Sequence, residues 1–260
     1  MPEASPLPVL FLAHGSPMLA LSGGGWGDTL RATGRDLPPL RGVLVVSAHW
    51  ETPGEFRLTG ASRPGVMHDF GGFPSALYTL DYPAPGDPVL AAEARSQLQA
   101  AGLPAELDPS RPLDHGAWVP LRHLLPGAQV PVVQLSLPRP RTPDLLLRAG
   151  RALAPLRQAG VLVVGSGGIV HNLGALDWEG VGGPEPWASA FDGWVRERLM
   201  DGEAEGLGGW PDAPGARLAV PTSEHLDPLL LTAALAGGTP APLISDWQLG
   251  SLSLSSYRWD

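Results

Sequence analysis

The chain has 260 residues, 43% of them hydrophobic, which is enough for one sizeable buried core and too apolar for a disordered protein. Its formal net charge is −9, and its 17 basic residues, all arginine, form no run, which argues against a nucleic-acid surface. Cysteine and lysine are absent, excluding disulfides, thiolate metal sites, Schiff-base lysines and a P-loop lysine.

The N-terminal residues carry no basic leader, and no apolar run approaches the ~18–20 residues of a membrane span. A cytoplasmic protein without membrane or nucleic-acid partners is therefore expected. Residues 8–13 (PVLFLA), 42–48 (GVLVVSA), 130–137 (VPVVQLSL) and 160–165 (GVLVVG) are short, branched-aliphatic and non-alternating. Such runs predict strands buried on both faces, as in a parallel sheet. Helices are predicted over 87–101, with Asp87 as N-cap and Pro88 next, and over 142–159, with Thr142 and Pro143 in the same roles. Helical spacing recurs at 119–125 and 187–199, and Asp227 is expected to cap a helix over 227–236. Residues 202–215 read as a surface loop, and the 34 glycines and 30 prolines as turns between elements. Alternating strands and helices predict one α/β domain with a mostly parallel central sheet flanked by helices.

The histidines stand at informative places. His14 directly follows the first predicted strand, His49 the second, and His171 lies six residues past the fourth. Ligands of an open parallel sheet gather outside the carboxyl ends of its strands. One histidine at a strand end is most often a hydrogen-bonded structural group. Three at equivalent positions predict convergence on one rim, and Glu224-His225, just before the last helix, can join them. Imidazole and carboxylate suit Fe(II), Zn(II) or Mn(II). Two loops, Asp114-His115-Gly116 and His68-Asp69-Phe70 onward, read equally well as site loops or as loops satisfying their own backbone. His123, inside a predicted helix, is expected to be structural. Ser166-Gly167-Gly168 lacks dinucleotide or Walker spacing, and no Gly-x-Ser-x-Gly is present.

Eight blocks in order, LAHGSPM, VVSAHW, HDFGGFP, DYPAPG, LDHGAW, PVVQLS, GSGGIVHN and PTSEH, resemble the 4,5-DOPA extradiol dioxygenase group of the class III, LigB-like ring-cleavage dioxygenases. The resemblance implies a single catalytic domain over 1–260 with one divalent metal at the strand ends, Fe(II) for dioxygenase activity or Zn(II). It implies insertion of O2 beside a catechol-type, DOPA-like aromatic diol. Carried onto matching positions, it makes His14 and His49 ligands, with His225 or Glu224 as the third. It makes His171 the acid/base residue, one that also approaches the metal when no substrate is bound, and His115 a second histidine near substrate and oxygen. Trp50, His68, Phe70 and Phe73 are expected to wall the ring. Ser223 stands where the group commonly has proline, and is expected to loosen that loop. Two alternatives belong to the same scaffold: a zinc-dependent hydrolase or lyase, and a non-enzymatic Memo-like binding protein. The oligomeric state is left open.

Overall fold

The four non-alternating aliphatic runs become four adjacent strands at the centre of one sheet. A computed structural model describes residues 5–179 and 183–260. The elements in chain order are β1 (Val9–Ala13), α1 (Leu19–Ser22), α2 (Gly24–Arg35), β2 (Gly42–Pro53), β3 (Phe56–Thr59), α3 (Pro88–Ala100) and β4 (Ala105–Asp108). There follow α4 (His115–Leu124), β5 (Val132–Arg139), α5 (Pro143–Leu153), β6 (Val161–Gly167), α6 (Pro186–Met200) and α7 (Ala216–Ala219). The chain closes with α8 (Asp227–Ala236), β7 (Ala241–Ile244), β8 (Trp247–Gln248), β9 (Leu252–Ser253) and β10 (Ser256–Trp259).

Eight strands form the main sheet in the order β4-β3-β5-β2-β6-β1-β10-β7. The run β5-β2-β6-β1 is wholly parallel, whereas β10 and β7 add antiparallel strands at one edge. This is the expected α/β domain. Side chains alternate across the sheet with period 2. Val9, Phe11, Leu44, Val46, Val161 and Val163 face α3, α5, α6 and α8, while Leu10, Leu12, Val43, Val45, Leu162 and Val164 face α2 and α4. All twelve are fully buried. Each contributes about 1.5–3 kcal/mol by leaving water, which is why these strands are continuous in hydrophobicity. Among the described residues, no helix is long and apolar enough to cross a membrane.

Helix starts follow the predicted chemistry in two cases. Asp87 accepts from the amides of Val89 and Leu90, and Thr142 from that of Leu145. The second helix is shorter than 142–159, because it tightens into a 3-10 turn at Ala154–Arg157. The helix expected at 119–125 begins earlier, at His115, capped by the buried Asp114.

Three expectations are corrected. Asp227 is not a cap: it lies inside α8, and its carboxylate is drawn sideways to Arg141. Residues 202–215 are not a plain surface loop, since Ala204–Asp212 form a 3-10 helix that buries Leu207. Ser223 does not loosen its loop. Its hydroxyl donates to Asp227 Oδ2 at 2.9 Å and lies 3.4 Å from an Arg141 nitrogen, tying the turn Ser223–His225 to α8.

Candidate metal centre

The site begins with an irregularity in β2. The strand runs past Ala48 to Pro53, and its pairing with β5 breaks between Val46 and Glu51. Residues Ser47–Trp50 lie opposite Ser136 alone, so the backbone bulges out of the ladder. Bulges of this kind re-aim side chains beside functional sites. Ser47 holds the bulge: it accepts from the His49 amide at 3.2 Å and donates to Asp114 Oδ1 at 2.7 Å. Gly116 packs against it. A Cβ there would lie 2.5 Å from Ser47 Oγ and 3.0 Å from the His49 ring. Thus the buried Asp114 caps α4, fixes the bulge and sets the positions of both His49 and His115. Gln134 satisfies its other oxygen.

His14 leaves the end of β1 with only 2% of its surface exposed. Its Nε2 faces His49 Nε2 across 2.9 Å. Its Nδ1 lies 3.0 Å from Ser166 Oγ, whose single proton is already given to the Gly116 carbonyl at 2.5 Å. Ser166 therefore accepts from His14 Nδ1–H, and His14 Nε2 carries a bare lone pair. His225 arrives from the turn before α8. Its Nδ1 donates to Glu224 Oε1 at 3.0 Å, so its Nε2 is also bare. That atom is buried and has no hydrogen-bond partner. An orphaned buried acceptor costs about 1–3 kcal/mol; a cation placed against it removes the cost.

Nitrogens of His14, His49 and His225 lie within 4.8 Å of one another, a grouping that fits one divalent cation. Burial, then neighbouring imidazoles, push His14 and His49 well below the ordinary 6.5. Both are neutral near pH 7, the form that ligates metal. Glu224 is engaged elsewhere: its carboxylate takes the His225 Nδ1 proton and the Thr222 hydroxyl. Burial opposes its ionisation, yet these hydrogen bonds hold it down to about 2. A charged carboxylate behind a histidine fixes the ring and raises its basicity toward a metal.

His171 lies flat on His225, with centroids 3.5 Å apart and planes 7° from parallel. It faces the cavity beside the three-nitrogen cluster. Burial, then His225, push its imidazole down to about 3. His115 stands 4.0 Å from the His49 ring, centroid to centroid. Its amide donates to Asp69 Oδ1 at 2.9 Å, and its Nδ1 lies 3.0 Å from the same oxygen but off the line of a hydrogen bond. Asp69 also lies 4.0 Å from His49 Nδ1, giving a second group of possible ligands, His49, Asp69 and His115. The first group is the better seat, because the bare nitrogens of His14 and His225 already face inward.

A cavity of about 350 Å³ opens over these rings, within the range of small-molecule sites.

The profile of the catalytic LigB subunit of aromatic ring-opening dioxygenases matches residues 8–248. The chain belongs to this family. The "4,5-DOPA dioxygenase extradiol" of Escherichia coli (strain K12) is 40% identical over 258 residues, covering 97% of this chain and 94% of that protein. The protein of the same name from Beta vulgaris is 36% identical, with 96% and 95% covered. A crystal structure of an uncharacterised Escherichia coli K12 protein superposes with a TM-score of 0.85 at 34% identity, covering 98% of this chain and 100% of that one. The resemblance carried by the eight sequence blocks is thereby confirmed, and the chain is an extradiol-type dioxygenase of the LigB family.

Of the residues this LigB-family sequence singles out, Phe70 and Phe73 line the cavity with His14, His49, His115 and His171. Trp50 does not: its buried ring lies under the Arg111 guanidinium, 5.2 Å away. Nor does His68, whose Nε2 meets the Leu80 carbonyl at 3.0 Å while its ring edges Trp118. His123 is structural as expected. Arg31 donates to its Nδ1, leaving Nε2–H for the Leu19 carbonyl. Sequence reasoning missed Ser166, Asp114 and Ser47, which set tautomers and backbone rather than touch the cavity. It also missed the apolar wall of Leu173, Leu176, Trp178, Leu249 and Leu252.

Proposed function

We propose that the protein opens the ring of a catechol-type aromatic diol with O2, in the cytoplasm, at one divalent cation held by His14, His49 and His225. The supporting observation is the orphaned, buried Nε2 of His225 beside the bare Nε2 of His14. Fe(II) bound there would supply a shared coordination sphere in which diol and O2 are aligned and electrons pass between them. The chain's own residues handle position and protons. Phe70 and Phe73 offer the diol ring an apolar face. His171, neutral at physiological pH, accepts a proton from a diol oxygen. Its low basicity means that it holds that proton only while negative charge stands beside it, and it returns the proton as the ring opens. Asp69 faces the His115 ring, so that imidazole can keep a proton beside the reacting oxygens. Burial opposes ionisation of Asp69, but the hydrogen bonds from His115 lower its pKa. The closed walls keep water from competing.

The test is anaerobic Fe(II) reconstitution followed by addition of catechols and oxygen. Stoichiometric oxygen uptake with a yellow ring-opened product is expected, and no uptake with any catechol overturns the reading. His225→Ala should lose the metal, whereas Glu224→Gln should keep it more weakly.

One observation favours a second reading. Three neutral imidazoles without a direct carboxylate also suit a catalytic zinc site. Ester or C–C bond hydrolysis by the zinc-loaded protein, with no oxygen uptake by the iron-loaded one, would establish it.

A further inference from the structure

The cavity above the imidazoles is lined unevenly. One side carries Phe70 and Phe73, and the other Leu173, Leu176, Trp178 and Leu249. At its mouth Leu173 and Trp178 are 61% and 78% exposed, unusual for side chains of that size. Adjacent exposed apolar groups beside a cleft mark a surface that something apolar covers.

The charges point the same way. Apart from the imidazoles, the one titratable side chain among the described lining residues is Asp69, an anion. No arginine lines the cavity, and the chain has no lysine. Residues 1–4 and 180–182 contain no arginine either. The arginines nearest the site are committed elsewhere. Arg111 donates to the His49 carbonyl at 3.2 Å and covers Trp50, and Arg141 is clamped between Glu51 and Asp227. A carboxylate on the far end of a bound ring would lose water, find no guanidinium, and approach Asp69. Burying a charge without a partner is strongly unfavourable.

Resting on the diol reading above, we infer that the preferred substrate is a catechol whose ring substituent is uncharged and apolar, such as an alkyl or aryl group, held by Leu173 and Trp178 at the mouth. Catechols bearing a carboxylate, DOPA among them, are the disfavoured class.

The test compares 4-butylcatechol with 3-(3,4-dihydroxyphenyl)propanoate and DOPA, with catechol itself as reference. Titration calorimetry on the zinc-loaded protein reads binding free of turnover, since zinc has no redox chemistry. The alkyl compound should bind at least about tenfold tighter than either acid, the scale set by one or two apolar contacts in a pocket. Trp178→Ala and Leu173→Ala, both at exposed positions, should shrink that ratio toward one. Equal or tighter binding of the acids overturns the inference, as does an unchanged ratio in both variants. Failure of every diol to bind the zinc-loaded protein, together with no oxygen uptake by the iron-loaded one, overturns the diol reading instead.

Discussion

Ser166 decides which nitrogen of His14 is free. Its hydroxyl proton goes to the Gly116 carbonyl, so it can only accept from His14 Nδ1. Ser166→Ala removes that acceptor and lets the ring exchange tautomers or turn. Metal affinity should fall about 10–100-fold, the usual scale for losing a group behind a ligand, with the fold retained. A competition titration against a chromophoric chelator measures it. Unchanged affinity would show that His14 needs no such support.

His171→Ala should abolish turnover while leaving most of the metal bound, since the ring stacks on His225 rather than joining the three clustered nitrogens. Metal content by atomic emission and oxygen uptake on one preparation separate the two quantities. Complete metal loss would instead make His171 a ligand in its own right.

Acid should destabilise the metal-free protein well before its surface carboxylates protonate. His14, His49 and His171 are all lowered in the fold, the first two well below 6.5 and the last to about 3. Between those values and 6.5 the unfolded chain binds more protons than the native one. Stability is therefore complete above about pH 6.5 and falls as the pH drops toward the folded values. The urea midpoint should be lower at about pH 5 than at about pH 7.5, and His171→Phe should flatten the slope. Equal midpoints for the unsubstituted protein would contradict neutral burial of these rings.

Arg141 and Asp227 form a buried pair, with side chains 7% and 4% exposed, reinforced by Glu51 and Ser223. Arg141→Ala strands the Asp227 carboxylate in the interior and should cost about 3–5 kcal/mol. A paired Arg141→Met/Asp227→Leu variant should recover much of that, because no charge is then left alone. Chemical denaturation of the three proteins checks both statements, and a single variant as stable as the parent would show the pair to be solvated.

The parts of this fold that could be read in the sequence are those where one physical cause dominates. β5, β2, β6 and β1 are covered on both faces, so their aliphatic runs are uninterrupted. β3, β4, β7 and β10 have four residues each, and mixed burial in β3, β4 and β7 leaves no such run. Asp87 and Thr142 cap because nothing competes for their oxygens, whereas Asp227 has a guanidinium within reach, brought there by a segment remote in sequence. The site histidines stood out because strand ends share one edge. Trp50 and His68 were misplaced for a different reason. The β2 bulge turns neighbouring side chains in different directions, and His68 finds a backbone carbonyl that no local pattern announces. A lone serine such as Ser166 carries no signal in one dimension; its importance lies in what stands on either side of it.

The placement of β1 has a consequence for how the molecule is made. Its two sheet neighbours are β6 and β10, both distant in the chain. A nascent polypeptide that has emerged only as far as β5 holds neither, so its leading segment must wait unpaired while the closure entropy of a long loop is met. The imidazole that follows β1 is thus delivered to its companions only when the tail arrives, and acquiring a cation becomes a late event in synthesis, reporting that the whole chain has come together.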